Sequence, residues 1–213
     1  SYLRGGDGPP LLLLHGAPGS AHTWAQSAAL LSNQYDVILP DLRGFGGSLG
    51  SQDSTHLDHD FYMEAHAETV HRLLDHLEVD SLFLGGHGFG GAVALTLVRL
   101  FPDLSPRGLA LSASNVFTNP PSSVLLQLAE VPLLGRVALR LLTGTRTGLD
   151  GLYHLAVTNQ VSFPSADFER HLTPSSIRRT RRVLGRRLAD LSDTYAEIEA
   201  LLPPLVVPTI VLS

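Results

Sequence analysis

The stretch LGGHGFGG, Leu84 to Gly91, sets one glycine two residues before a central position and another two residues after it, between an apolar run and a helix-like run. That spacing builds a tight strand-to-helix turn that lifts the central side chain clear of the backbone, where a nucleophile can meet an electrophilic carbon. Gly86 and Gly90 suit such a turn, because neighbouring backbones approach too closely to admit a side chain. The central residue must take a strained, positive-φ conformation, which glycine tolerates best. Here the central residue is Gly88, which has no reactive atom to offer.

Two histidines flank the motif's surroundings. His87 sits beside the apex, and His15 ends an apolar run; we expect both to pack and hydrogen-bond rather than move protons, since no nucleophile is there to be deprotonated. The histidines at positions 56, 59, 66, 71 and 76 invite a metal reading, but their spacings mostly miss one helical face and no H-E-x-x-H occurs. We expect a solvated surface there, and no metal. The arginines at 178, 179, 181, 182, 186 and 187 are followed by several acids and read as the outer face of a helix, not as an anion site.

The elements that must position the motif follow from periodicity. PLLLLHG (Pro10 to Gly16), YDVILPD (Tyr35 to Asp41), SLFLGG (Ser81 to Gly86), GLALSAS (Gly108 to Ser114) and VPTIVLS (Val207 to Ser213) read as strands. AHTWAQSAALLS (Ala21 to Ser32) reads as a helix between the first two. FYMEAHAETVHRLLDHL places Met63, Ala67, Val70, Leu73, Leu74 and Leu77 on one helical face, with Glu64, Glu68, Arg72 and Asp75 outward. GGAVALTLVRLFP is apolar nearly all round, as a buried helix would be, and Pro102 stops it. Alternating strands and helices predict an α/β fold with a mostly parallel sheet flanked by helices.

From Asn115 onward the chain is helical in character and broken by prolines until the last strand; a stretch of roughly ninety residues is too long for a structureless loop, so a helical lid is expected. The expected organisation is a first part of the core at 1–114, the lid at 115–204 and a return strand at 205–213.

With a net charge of −5 the chain offers no general attraction for nucleic acid. The absence of cysteine excludes disulfides and thiolate metal sites. The apolar run Leu11 to Leu14 is far too short for a membrane span. A small-molecule ligand, no membrane partner and, by default, a cytoplasmic location are expected.

In these stretches the chain resembles the α/β-hydrolase fold superfamily, closest in look to epoxide-hydrolase and esterase-type members with a helical lid. LLLLHGAPGS resembles the family's oxyanion loop, where His15 and Gly16 precede a backbone N–H at Ala17, and PDLRGFGGS (Pro40 to Ser48) resembles its glycine-rich segment. Trp24 falls where many members have a tryptophan, and VPTIVLS looks like the strand before the catalytic acid. The resemblance implies oxyanion-hole amides at Ala17 and Phe89, with His15, Gly16, Gly86, His87 and Gly90 in support, and no cofactor. Trp24, Tyr153 and Tyr195 are its substrate-pocket candidates.

The family pattern also requires a Ser, Cys or Asp at position 88 and, further on, an acid and a histidine. Position 88 is glycine and Ser213 is reached before the other two, so the chain is expected to be inactive as given and to be an excerpt lacking parts at both ends. A parent serine would imply an esterase, lipase, thioesterase or peptidase; a parent aspartate, an epoxide hydrolase or dehalogenase. Against a haloalkane dehalogenase, Ala17 and Phe89 stand where that group usually has halide-holding asparagine and tryptophan. The alternatives are a non-catalytic, ligand-binding pseudoenzyme and a non-hydrolytic enzyme using the same pocket.

Overall fold

A computed structural model describes residues 1–17, 19–48, 63–114, 147 and 206–212. The chain divides into two compact units, Ser1–Thr118 with Thr194–Ser213, and Asn119–Asp193. The expected lid, 115–204, falls outside the described residues except for Thr147.

Six strands are described in the first unit: β1 (Tyr2–Gly5), β2 (Pro10–Leu14), β3 (Asp36–Pro40), β4 (Ser81–His87), β5 (Ser105–Ser112) and β6 (Thr209–Leu212). They form one sheet in the order β1-β3-β2-β4-β5-β6. All pairs are parallel except β1 with β3. After β2 the chain moves to one side of that strand, to β3, and after β3 it crosses to the other side, to β4. The carboxyl ends of β2 and β4 therefore flank the point where the winding reverses, which is where open α/β sheets form their ligand crevice.

The register explains the two faces. Leu13 lies beside Gly85 and Leu14 beside Gly86, so odd-numbered residues of β2 and β4 share one face and even-numbered ones the other. On the first face Leu11, Leu13, Val37 and Leu39 pack with Ala21, Trp24, Ala28 and Leu31 of the segment that follows β2. On the second lie Leu12, Leu14, Leu82 and Leu84, all but sealed from solvent. Burying a leucine contributes about 2 kcal/mol, so these short runs are enough to fix the register of the sheet's centre.

The helices are α1 (Ala25–Leu31), α2 (Met63–His76) and α3 (Phe89–Leu100), with a 3-10 turn, Ala21–Trp24, leading into α1. The expected single helix from Ala21 thus starts as a tighter turn. A Ser20–Thr23 capping box, in which each side chain takes the other's backbone N–H, closes that turn. α3 is buried on every residue from Phe89 to Leu97, as its uniform apolarity foretold.

Two expectations need correction. β5 begins at Ser105, three residues before the expected Gly108. Pro106 is tolerated because β6 pairs with β5 only from Leu109, so its missing N–H faces no partner strand among those described. β5 also stops at Ser112, because Ala113 turns to φ +42°. The second correction is His66, expected at a solvated surface and found fully buried on α2. It shares the inner face of that helix with Met63, Ala67, Val70 and Leu74. Among the described residues no three His, Asp or Glu side chains converge as a metal site, and no helix is long and apolar enough to cross a membrane.

Candidate functional site

Gly88 stands between β4 and α3 as the residue capping the helix, with φ 52° and ψ −116°. This is a region that residues with a Cβ enter only under strain. The backbone there is fixed at both ends: Gly88 N–H donates to the Ser112 carbonyl at 3.0 Å, and its own carbonyl accepts from Gly91 N–H at 3.1 Å. The turn aims position 88 out of the carboxyl edge of the sheet, beside the loop that leaves β2.

The glycines around it differ in what they tolerate. A Cβ on Gly86 would lie 2.5 Å from the Gly90 carbonyl and from the Gly91 backbone, and one on Gly90 would lie 2.3 Å from the Leu14 carbonyl. Both are required because main chain meets main chain, as the spacing suggested. At Gly88 the nearest described atoms to such a Cβ are the Ala113 carbonyl oxygen and the Gly16 Cα, each at 3.9 Å, which is ordinary contact. Gly88 is therefore demanded by its φ and not by lack of room.

The loop after β2 is shaped by His15 and Gly16. The Gly16 carbonyl accepts from Gly19 N–H at 2.6 Å, closing a turn that carries Ala17, and His15 Nδ1 lies 2.9 Å from the same oxygen. His15 Nε2 is 3.0 Å from the Leu42 N–H. Ala17 is half-buried, and its N–H donates no backbone hydrogen bond among the described residues. Phe89, whose amide is the other one implied for an oxyanion, is the first residue of α3 and is buried.

Below the turn an aromatic cluster joins four parts of the chain. The Phe45 ring lies 5.5 Å from His15, 6.2 Å from Phe89 and 6.4 Å from His66, and His66 meets Phe89 edge-on at 5.1 Å. Such pairs contribute about 1 kcal/mol each beyond their burial. They tie the segment after β3, the helix α2 and the start of α3 to the loop after β2.

On the opposite face His87 packs against that same loop. A Cβ on Gly16 would come within 3.0 Å of His87 Cδ2, and the Trp24 ring meets the His87 ring edge-on at 6.5 Å. Burial holds the His87 pKa below the ordinary histidine value, against a smaller upward pull from the Ser112 backbone. The Trp24 indole nitrogen is buried without a hydrogen-bond partner among the described residues.

Of the residues singled out from the sequence, His15, Gly16, Ala17, Gly86, His87, Gly88, Phe89 and Gly90 thus come together at one edge of the sheet. Trp24 lies against them through His87, and Tyr153 and Tyr195 lie outside the described residues. Sequence reasoning did not single out Asp41. Its Oδ1 accepts from Ala21 N–H at 2.7 Å and its Oδ2 from Gly47 N–H at 2.8 Å. It did not single out Ser114 either, whose hydroxyl donates to the carbonyls of Gly86 and Ser112, both at 3.2 Å. The signal for Asp41 was an acid inside a glycine-rich run; nothing local marked Ser114.

Residues 9–207 match the family model described as alpha/beta hydrolase fold. Over 102 residues the chain is 41% identical to the fluoroacetate dehalogenase of Burkholderia sp, covering 46% of this chain and 32% of that protein. Over 106 residues it is 40% identical to the soluble epoxide hydrolase of Corynebacterium sp. (strain C12), covering 50% of this chain and 35% of that protein. It thus spans about a third of the length of these curated relatives. Among solved structures, a loop variant of a haloalkane dehalogenase from Bradyrhizobium elkanii is similar in fold. Its TM-score is 0.75 at 22% identity, covering 99% of this chain and 74% of that one.

Proposed function

The chain belongs to the alpha/beta hydrolase fold family, and from that premise we propose that position 88 is the nucleophile position of a small-molecule hydrolase, filled here by a residue that cannot attack. The observation that supports this reading is the contrast among the glycines. Gly86 and Gly90 have no room for a Cβ, whereas Gly88 has a positive φ and, among the described residues, room for one. A glycine needed only for packing would be crowded.

The relatives' names, a dehalogenase and an epoxide hydrolase, favour an aspartate over a serine as the parent residue. A carboxylate at 88 would attack a ring carbon of a small apolar epoxide, forming an ester and opening the C–O bond, whose freed oxygen takes a proton from solvent. Water would then cleave that ester at its carbonyl carbon. The negative oxygen formed in this second step would be met by the amides of Ala17 and Phe89, whose contribution alone is a fraction of the full rate. With Gly88 the first step has no nucleophile, so the chain as it stands is read as inactive along this route.

The test uses full-length protein with Gly88→Asp and Gly88→Ser, assayed on styrene-type epoxides and on activated esters. Turnover of the epoxide by the aspartate variant supports the reading; no turnover of either substrate by either variant overturns it. The same glycine also favours a second reading, a binding protein that keeps the site without the reaction. It predicts saturable binding of the intact epoxide by the Gly88 protein, with no diol formed.

A further inference from the structure

Both backbone bonds that fix residue 88 end on groups met by one side chain, that of Ser114. The ladder between β4 and β5 closes at the pair His87 and Ser112. One step on, the Gly88 N–H donates to the Ser112 carbonyl at 3.0 Å, and the Gly88 carbonyl accepts from the Gly91 N–H at 3.1 Å. Ser114 returns to this junction from beyond the end of β5. Its hydroxyl lies 3.2 Å from the Ser112 carbonyl and 3.2 Å from the Gly86 carbonyl, so its single proton is shared between two acceptors. The same side chain rests on the first turn of α3, where a Cβ added to Gly91 would fall onto the Ser114 Oγ.

Ser114 thus meets β4 at Gly86, β5 at Ser112 and α3 at Gly91, the three elements that join at residue 88. The direction in which a side chain leaves that residue is set by its N, Cα and C atoms, and those are held by the two bonds to Ser112 and Gly91. A reacting group misplaced by about 1 Å can lose about 100-fold in rate. What steadies these two bonds therefore bears on chemistry as well as on stability.

We propose that Ser114 is a positioning residue for position 88. Its hydroxyl holds the Ser112 carbonyl where the Gly88 N–H meets it, and its packing on Gly91 keeps the start of α3 aligned with that bond. The kinetic consequence rests on the reading of position 88 as the nucleophile position; the brace itself does not.

The experiment uses full-length protein carrying Ser114→Ala. A second variant, Ser114→Gly with Gly91→Ala, returns a methyl to the vacated space without the hydroxyl. Hydrogen exchange is followed at the amides of Gly88 and of Leu84, the latter in the middle of β4. Loss of the shared hydrogen bond should quicken exchange at Gly88 by about fivefold or more relative to Leu84, in both variants. A merely structural role would quicken the two amides equally, and that result, or no change at Gly88, overturns the proposal. With Gly88→Asp in place, Ser114→Ala should lower kcat on a styrene-type epoxide by about tenfold or more at unchanged KM, and the double change should not restore it. A full kcat in the double change would show that volume, not the hydroxyl, is what counts, and overturns the proposal even if Ser114→Ala does not fold. If Gly88→Asp turns over epoxide and Ser114→Ala leaves kcat as it was, this inference fails and the hydrolase reading stands. If Gly88→Asp and Gly88→Ser are both inactive, the hydrolase reading falls, and exchange at Gly88 alone decides whether Ser114 is the brace.

Discussion

His15 accepts the backbone N–H of Leu42 on Nε2 at 3.0 Å. A ring nitrogen that accepts carries no proton, so the proton sits on Nδ1 and is donated to the Gly16 carbonyl 2.9 Å away. The imidazole is therefore neutral and held in one tautomer. One fully buried side chain joins the turn carrying Ala17 to the glycine-rich segment after β3, and its role is to hold the site's edge in shape.

Removing that link has a cost that can be measured. His15→Ala leaves the buried Leu42 N–H without its acceptor and a cavity where the ring was, for a loss of about 3 to 4 kcal/mol. Urea unfolding should show it, and hydrogen exchange at the Leu42 amide should quicken more than at amides of β5. A loss below about 0.5 kcal/mol, the range of a neutral surface change, would contradict the role assigned to the ring.

The three glycines of the turn should respond to alanine very differently. Gly90→Ala drives a methyl into the Leu14 carbonyl at the end of β2 and the His15 carbonyl just after it, and Gly86→Ala drives one into the start of α3. Neither obstacle is a side chain that can swing away, so both variants should lose more than about 4 kcal/mol or fail to fold. Gly88→Ala meets nothing closer than 3.9 Å among the described residues, leaving only the strain of its φ, about 1 to 3 kcal/mol. Equal losses at positions 88 and 90 in chemical denaturation would refute the distinction on which the proposed function rests.

Asp41 is expected to be the acid whose amide analogue is poorly tolerated. Both of its oxygens are occupied, by the N–H groups of Ala21 and Gly47, and Gly46 is folded directly over the carboxylate. Asp41→Asn must turn an NH2 toward one of those donors, which removes a charge-assisted hydrogen bond and opposes two donors. The expected loss is about 2 kcal/mol, read as a fall in thermal midpoint; an unchanged midpoint would show the carboxylate to be dispensable.

What was legible in the sequence was what local sterics and periodicity dictate. The strand–turn–helix around Gly88 could be read because Gly86 is needed by a contact with Gly90 and Gly91 a few residues on, and α3 because its apolarity is uniform; the contact that requires Gly90, with the Leu14 and His15 carbonyls, comes from a distant segment. His66 was misread because histidine is polar. The partners that bury it, Phe45 and Phe89, come from two other elements, although its place between Met63 and Val70 on the helix was a usable clue. The antiparallel pairing of β1 with β3 and the convergence of Ala21 and Gly47 on Asp41 depend on distant segments meeting in space, which spacing alone does not encode.

The lowered pKa of His87 gives the site's edge a pH dependence whose sign is fixed. Burial is the main cause, partly offset by the Ser112 backbone. On acidification the unfolded chain binds a proton near pH 6.5 while the folded ring is still neutral, so protons favour unfolding. The stability contributed by keeping the ring neutral is complete above about pH 6.5 and drains away as pH falls toward and through the folded value. Trp24 is the chain's single tryptophan and its ring meets His87 at 6.5 Å, so indole emission should titrate with the imidazole. Below pH 6.5 the emission should step to a lower level as the ring gains its charge, and the thermal midpoint should fall. In His87→Gln the emission step should vanish and the midpoint should vary less over the same interval. An emission step centred above pH 6.5, or one that survives in the glutamine variant, would mean that the ring is not held neutral against the loop that carries Gly16 and Ala17.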